Sequence, residues 1–311
     1  MLSRVADSLY WMSRYFERAD NAARVLGATY GLILNPAKFS TSQRWYKAIT
    51  RLGSIPRSEE VEPQQAMLRL AFDSGNKSSI VSCVSSAREN AGQARQEISS
   101  EMWEQLNRLY HDLSQSGTPS GDDASASRMV AAVRDGASRF YGITDSSMNH
   151  GEGWHFIQLG KYTERACGLS LILDSYFSPK EAADDLDWVG LLTSCAAFEA
   201  YCKACTADLQ PGRVAEFILL QADFPYSIRY SVDQMRVALN QISGRSMSPK
   251  AQRIERIIGR LRASLAYAQI DEVLVGDLHK YCNNIIEQCR SLHSAVHDVY
   301  IEYPIAGAFE S

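Results

Sequence analysis

The chain has 311 residues, 45% hydrophobic and 22% charged, with a formal net charge of −4 and a pI near 5.9, a composition that excludes a disordered chain and suffices for one large core or two packed halves. The slight acidity argues against nonspecific nucleic-acid binding, which needs a basic face to neutralise phosphates. Seven scattered cysteines point away from a disulfide framework and toward a reducing cytoplasm, and no apolar run reaches the ~18 residues expected of a membrane span.

Leu2, Val5, Leu9, Met12, Phe16, Ala19, Ala23 and Leu26 recur at threes and fours, so the first element is an amphipathic helix with one core-facing side. Arg4, Asp7, Arg14, Glu17 and Arg18 interrupt any run that would read as an export signal. Arg14, Glu17 and Arg18 share a face at spacings of three and four and form a charged stripe. Asn35-Pro36 stops this helix, and Ser40-Thr-Ser42 can cap a second through Trp45, Ile49 and Leu52, ended by Pro56.

A shorter helix is predicted around Ala66–Phe72, closed near Gly75-Asn76, followed by one long helix from Ile80 to Leu113. Residues 114–127 are rich in Ser, Gly and Asp, which is linker chemistry. Met129–Tyr141 reads as a helix ending at Gly142, and Thr144, Asp145 and Ser146 are cap candidates for a second charged helix over Trp154–Phe177. Further helices are predicted over Trp188–Leu209, after Asp223-Phe-Pro225, around 249–269, and from Asp271 or Asp277 to Tyr303. Strand-like alternation is nearly absent, so the fold class is all-α, and the short connections favour antiparallel neighbours. The tryptophans at 11, 45, 103, 154 and 188 are expected to anchor the core.

An internal repeat organises these elements. Arg14, Tyr15, Glu17, Arg18 and Ala19 return as Lys161, Tyr162, Glu164, Arg165 and Ala166; Pro36 and Trp45 return as Pro179 and Trp188; Ser79-Ile80, Val84 and Arg88 return as Ser227-Ile228, Val232 and Arg236. The ordered set predicts a tandem duplication, an antiparallel helical bundle with one repeat over 1–113, a flexible linker over 114–127 and a second repeat over 128–311.

If the halves face each other, the stripes Arg14/Glu17/Arg18 and Lys161/Glu164/Arg165 converge. Two chemistries then stand side by side. One is a site for an anionic or zwitterionic ligand such as an amino acid or peptide, with Arg forks on a carboxylate and Glu on an ammonium. The other is an internal salt-bridge lattice joining the halves. Cys289, His293 and His297, spaced by four, could line a helix edge and hold a soft cation, but a closed site wants a fourth ligand; a partly buried helix face is the plainer reading. Cys202-x-x-Cys205 lies in a helical run with no second pair and reads as small core residues. Nucleophile elbow, phosphate loop, zinc-protease and dinucleotide signatures are all missing from the sequence, and no cofactor is expected.

The opening Tyr10-Trp-Met-Ser-Arg-Tyr-Phe-Glu-Arg-Ala19 resembles the start of the bacterial alpha-E family, as does Gly142-Ile-Thr-Asp-Ser-Ser-Met148 leading into Glu152–Arg165. Ala87–Trp103 and Phe217–Arg229 are similar too, so the resemblance spans nearly the whole chain. The second copy departs from the family pattern at Lys161, where Arg is usual, and at Cys167, where an acid is usual. The resemblance implies a helical protein found beside, or fused to, circularly permuted ATP-grasp proteins, hence a place in peptide or amide synthesis. The expectation is an auxiliary subunit that binds an ATP-grasp protein and holds its substrate on the charged stripes. The alternatives are an enzyme of the same pathway with Glu17 or Glu164 as acid–base, which would need a concave pocket and a Glu of raised pKa, and a metal-binding helical protein. A homo-oligomer is left open.

Overall fold

The computed structural model describes residues 1–33, 63–115, 123–177, 185–206, 208–243 and 249–301. The helix expected between Ser40 and Pro56 lies outside these residues, as does Trp45. Within them the chain forms thirteen α-helices and no strand, and no helix is long and apolar enough to cross a membrane. The helices are α1 (Ser3–Ile33), α2 (Pro63–Ala71), α3 (Ile80–Gln93), α4 (Ser100–Gln115), α5 (Asp123–Ser147), α6 (Glu152–Tyr176), α7 (Asp185–Ser194), α8 (Phe198–Cys205), α9 (Pro211–Leu220), α10 (Ile228–Ser243), α11 (Pro249–Ala266), α12 (Ile270–Val275) and α13 (Leu278–Val296), closed by a π-turn over His297–Ile301.

Two long helices, α1 and α6, form the axis. On one side α1 packs against α3 and α5; on the other α6 packs against α10 and α13; α4 and α11 lie further out. Every outer neighbour is antiparallel where its contacts fix the direction. Arg88 meets Asn107 and Gly92 approaches Trp103 across α3 and α4, Ser8 meets Gln93 across α1 and α3, and Asp233 meets Arg262 across α10 and α11. The central pair is different. Leu9 lies at Gly153, Ser13 at Ile157 and Asn21 at Gly168, so α1 and α6 run parallel. Antiparallel packing follows from short connections, and the whole of α2 to α5 lies between these two helices.

Ser79 N-caps α3 by accepting from the Ser82 amide at 3.2 Å, and Ser227 caps α10 by accepting from the Tyr230 amide at 3.0 Å. Thus α3 stands on α1 as α10 stands on α6, each entered through the repeated Ser-Ile.

Several boundaries differ from the sequence expectation. The long helix from Ile80 to Leu113 is two: a turn over residues 94–99 reverses the chain, Ser99 caps α4 through the Met102 amide, and Gly92 leaves room for the Trp103 ring folding back. Trp188–Leu209 is likewise broken between α7 and α8, where Ala196 has φ 51°. Gly142 does not end a helix; α5 runs through it to Ser147, which places Thr144, Asp145 and Ser146 inside the helix. Of the linker 114–127, Ser114 and Gln115 close α4, residues 123–127 open α5, and 116–122 lie outside the described residues. Because α5 packs on α1 and α4, it belongs with the first group of helices. Leu2 is exposed, and Trp188 is buried while Trp11, Trp103 and Trp154 are half-buried.

Candidate functional site

The site begins with the closeness of α1 and α6. The Ser13 hydroxyl donates to the Ile157 carbonyl at 2.6 Å, and a Cβ on Gly160 would stand 2.4 Å from the Tyr10 carbonyl oxygen. Ser13 and Gly160 hold the same place in the repeat, as do Tyr10 and Ile157, so the two contacts are reciprocal. Only a small residue allows a backbone approach this tight.

At that separation the charged stripes interlock. Arg165 binds Glu17 through two nitrogens, Nε to Oε1 at 2.6 Å and Nη2 to Oε2 at 3.0 Å. In return Arg18 Nε donates to Glu164 Oε1 at 2.6 Å, and Arg14 holds Oε2 through Nε at 2.9 Å and Nη2 at 2.8 Å. Each Glu-Arg dipeptide therefore crosses to the other. The Tyr141 hydroxyl, from α5, donates to Glu17 Oε2 at 2.6 Å, and Arg165 Nη1 donates to the Pro225 carbonyl at 3.2 Å. The Glu17 and Arg165 side chains are 0% and 3% exposed; Arg18, at 28%, is the most open of the set. The expectation of one core-facing side fails for α1, because its charged stripe is covered by that of α6.

Lys161 is the exception among the six residues. Its ammonium makes no ion pair among the described residues and sits 4.0 Å over the Tyr141 ring. Burial, reinforced by the Arg165 charge, pushes Lys161 down to about 8. Arg14 takes a carboxylate where its counterpart Lys161 does not, a difference that follows from Arg's fork against the point charge of Lys.

A further group was not anticipated from the sequence. Asp20, buried, accepts from Arg24 Nε at 2.9 Å and from the Tyr226 hydroxyl at 3.0 Å, leaving Oδ1 without a hydrogen bond. Two guanidiniums stand over the Tyr226 ring, Arg165 at 3.9 Å and Arg24 at 4.7 Å from its centroid. The signal available was the Asp20–Arg24 spacing of four directly after the motif.

These contacts decide the protonation states. Burial pushes the Glu17 carboxyl up, but the Arg165 charge and its hydrogen bonds outweigh this and hold it below the usual range. Glu164 behaves likewise: burial raises it, and Arg14 and Arg18 together bring it below. Asp20 is the reverse, raised by burial despite Arg24. Both motif glutamates are thus fixed as anions with their oxygens engaged. A general base at Glu17 or Glu164 would need a raised value, and here the shift runs downward. A cavity of about 560 Å³ lies elsewhere, lined by Gln96, Ser99, Ser147, Asn149 and Glu152 among others, and no motif residue borders it.

Cys289, His293 and His297 do not assemble into a metal cluster; the described residues hold no group of three that could. The neighbouring Cys167 and burial together push the Cys289 thiol well above its usual value. His293 stacks on Tyr10 with ring centroids 5.5 Å apart and its Nδ1 3.2 Å from the Tyr10 hydroxyl, and burial, then Arg14, pushes it down to about 4. The His297 ring centroid is 6.2 Å from that of His293. Cys202 and Cys205 are free and half-buried on α8.

No solved structure matches the sequence. Uncharacterised proteins of Mycobacterium tuberculosis and Mycobacterium bovis are 25% identical over 320 residues, covering 95% of this chain and 36% of theirs. This chain therefore spans little more than a third of the relatives it matches. Residues 1–301 match the Alpha-E family, described as a predicted alpha-helical domain with a conserved ER motif. Glu-Arg stands in this chain at Glu17-Arg18 and Glu164-Arg165, which cross between α1 and α6, and at Glu255-Arg256 on α11, and the chain belongs to the Alpha-E family.

Proposed function

We propose that this protein is an accessory, non-catalytic helical module of an ATP-grasp-dependent system that forms peptide or amide bonds. Its Glu-Arg pairs lock α1 to α6, and its assembled surface holds the ATP-grasp partner and an amine or peptide substrate. The observation that carries this reading is the complete engagement of Glu17 and Glu164 by Arg165, Arg14, Arg18 and Tyr141. Carboxylates held this way are poor bases but good staples. The relatives add support, since the same module occupies 36% of their chains and works there beside other sequence. The tandem duplication belongs to the same proposal; its support is the reciprocity of Ser13 with Gly160 and of Glu17–Arg165 with Glu164–Arg18.

Charge imbalance favours a second reading. Arg14, Arg18, Arg24, Lys161 and Arg165 outnumber Glu17, Asp20 and Glu164 in one cluster, so a carboxylate ligand at the open Arg18 edge would be attracted. Affinity purification of the tagged chain from its own cells, with mass spectrometry of what copurifies, tests the main proposal. An ATP-grasp protein near stoichiometry supports it. A chain recovered alone that turns over substrate, and loses that turnover in a folded Glu17→Gln variant, overturns it.

A further inference from the structure

Arg14, Arg18, Arg24 and Arg165 each hold a carboxylate. The Lys161 ammonium pairs with none among the described residues and rests instead on aromatic carbon, 4.0 Å from the Tyr141 ring centroid and 5.2 Å from that of Tyr162. The Tyr141 hydroxyl donates to Glu17 Oε2 at 2.6 Å, so the ring face, not the oxygen, is what Tyr141 offers Lys161. Arg165, one helical turn further along α6, stands 5.4 Å from the same Tyr162 ring and sets a second cation beside the amine. Lys77, Lys203, Lys250 and Lys280 are exposed, and Lys161 alone among the described lysines is half-buried. An amine half-buried beside a guanidinium is favoured in its neutral, nucleophilic form. Burial, reinforced by Arg165, brings Lys161 down to about 8, so about a tenth of it is free amine at pH 7. The first copy of the motif lacks this chemistry, because the counterpart residue is Arg14, which keeps its charge.

We propose that Lys161 is a covalent attachment site, whose amine condenses with a small aldehyde or ketone to give an iminium held over the Tyr141 ring. The nitrogen lone pair attacks the carbonyl carbon, the C=O π bond breaks onto oxygen, and a proton passes from nitrogen to that oxygen to give a carbinolamine. The carbinolamine hydroxyl takes a proton from solvent and leaves as water while the nitrogen lone pair closes the C=N bond. Amine, carbonyl and one proton thus become iminium and water, with nothing oxidised or reduced. The iminium carries the charge that the ammonium carried, so the Tyr141 ring holds it by the same attraction. Attachment of this kind is holding, not turnover, and water reverses it; it does not depend on an ATP-grasp partner.

The test exposes the full chain at pH 7 to a low concentration of propanal with cyanoborohydride, which reduces the iminium to a stable propyl-lysine, and maps the labelled lysines by peptide mass spectrometry. The proposal expects Lys161 to be labelled at least about tenfold faster than Lys77, Lys203, Lys250 and Lys280, a lead that narrows by about pH 9.5 as those four lose protons. Lys161→Arg, which keeps the charge, should lose the fast label and leave the other four unchanged. Labelling of Lys161 no faster than that of the four exposed lysines at pH 7, or a lead undiminished at the higher pH, would overturn it.

Discussion

Glu17 and Arg165, 148 positions apart, form a two-point ion pair whose side chains are 0% and 3% exposed. Glu164 is matched in the reverse sense by Arg18 and Arg14, whose side chains are 28% and 13% exposed. Removing one partner of a buried pair leaves an uncompensated charge, so cost should follow the burial of the residue left behind. Glu17→Gln is expected to cost about 3–5 kcal/mol and Glu164→Gln about 1–2 kcal/mol, since water reaches Arg18. Urea unfolding of the two variants checks the order; equal losses would mean that burial does not set the cost.

Acid should loosen the same interface. Folded Glu17 and Glu164 sit below their ordinary values, so their stabilisation is complete above ~4.3, the unfolded value, and is lost as pH falls through the folded values. Asp20, raised by burial ahead of the opposing Arg24 charge, contributes with the opposite sign. Unfolding free energy should therefore fall from about pH 6.5 downward, where His293 takes up its proton in the unfolded chain but not in the folded one, and fall further below about 4 as Glu17 and Glu164 protonate, and Asp20→Asn should make the acid fall steeper. A rise in stability below pH 4 would show that Asp20 dominates.

Lys161 gives a signature at the other end of the scale. Its folded value of about 8 lies under the unfolded ~10.4, so the unfolded chain binds the extra proton between them and stability rises with pH across that window. Lys161→Met is expected to raise stability at pH 7 by on the order of 1 kcal/mol, with the gain fading by pH 10. Denaturant titrations of both proteins at pH 7 and pH 9.5 decide it; a Met variant less stable at pH 7 would show that Lys161 is paired in solution.

Two glycines should respond in opposite directions. Gly160→Ala drives a methyl into the Tyr10 carbonyl, 2.4 Å away, and should cost about 1–3 kcal/mol by parting α1 from α6. Gly142 lies inside α5 with nothing within 4 Å of a Cβ, so Gly142→Ala should stabilise by roughly 0.5–1 kcal/mol. Thermal unfolding midpoints moving oppositely bear this out.

The sequence displayed the stripes but not their partners. Spacings of three and four put Arg14, Glu17 and Arg18 on one face, and the repeat announced a second face. Nothing in the local pattern says that Glu17 crosses to Arg165, because that depends on the parallel, close approach allowed by Ser13 and Gly160. Tyr141 arrives from α5 and Tyr226 from the turn before α10, and neither carries a local signal. The turn at 94–99 was hidden by good helix formers on both sides, with Ser99 and Gly92 its only marks, while the continuation of α5 through Gly142 shows packing on α1 overriding a local breaker.

A double-mutant cycle on Glu17 and Arg165 tests the lock most directly. Unfolding free energies are measured for the unaltered chain, Glu17→Ala, Arg165→Ala and the double variant. A lock predicts that the double variant loses less than the two single losses together, by about 2–3 kcal/mol. Single losses that add to within about 0.5 kcal/mol would contradict it and return these residues to a role in binding or chemistry.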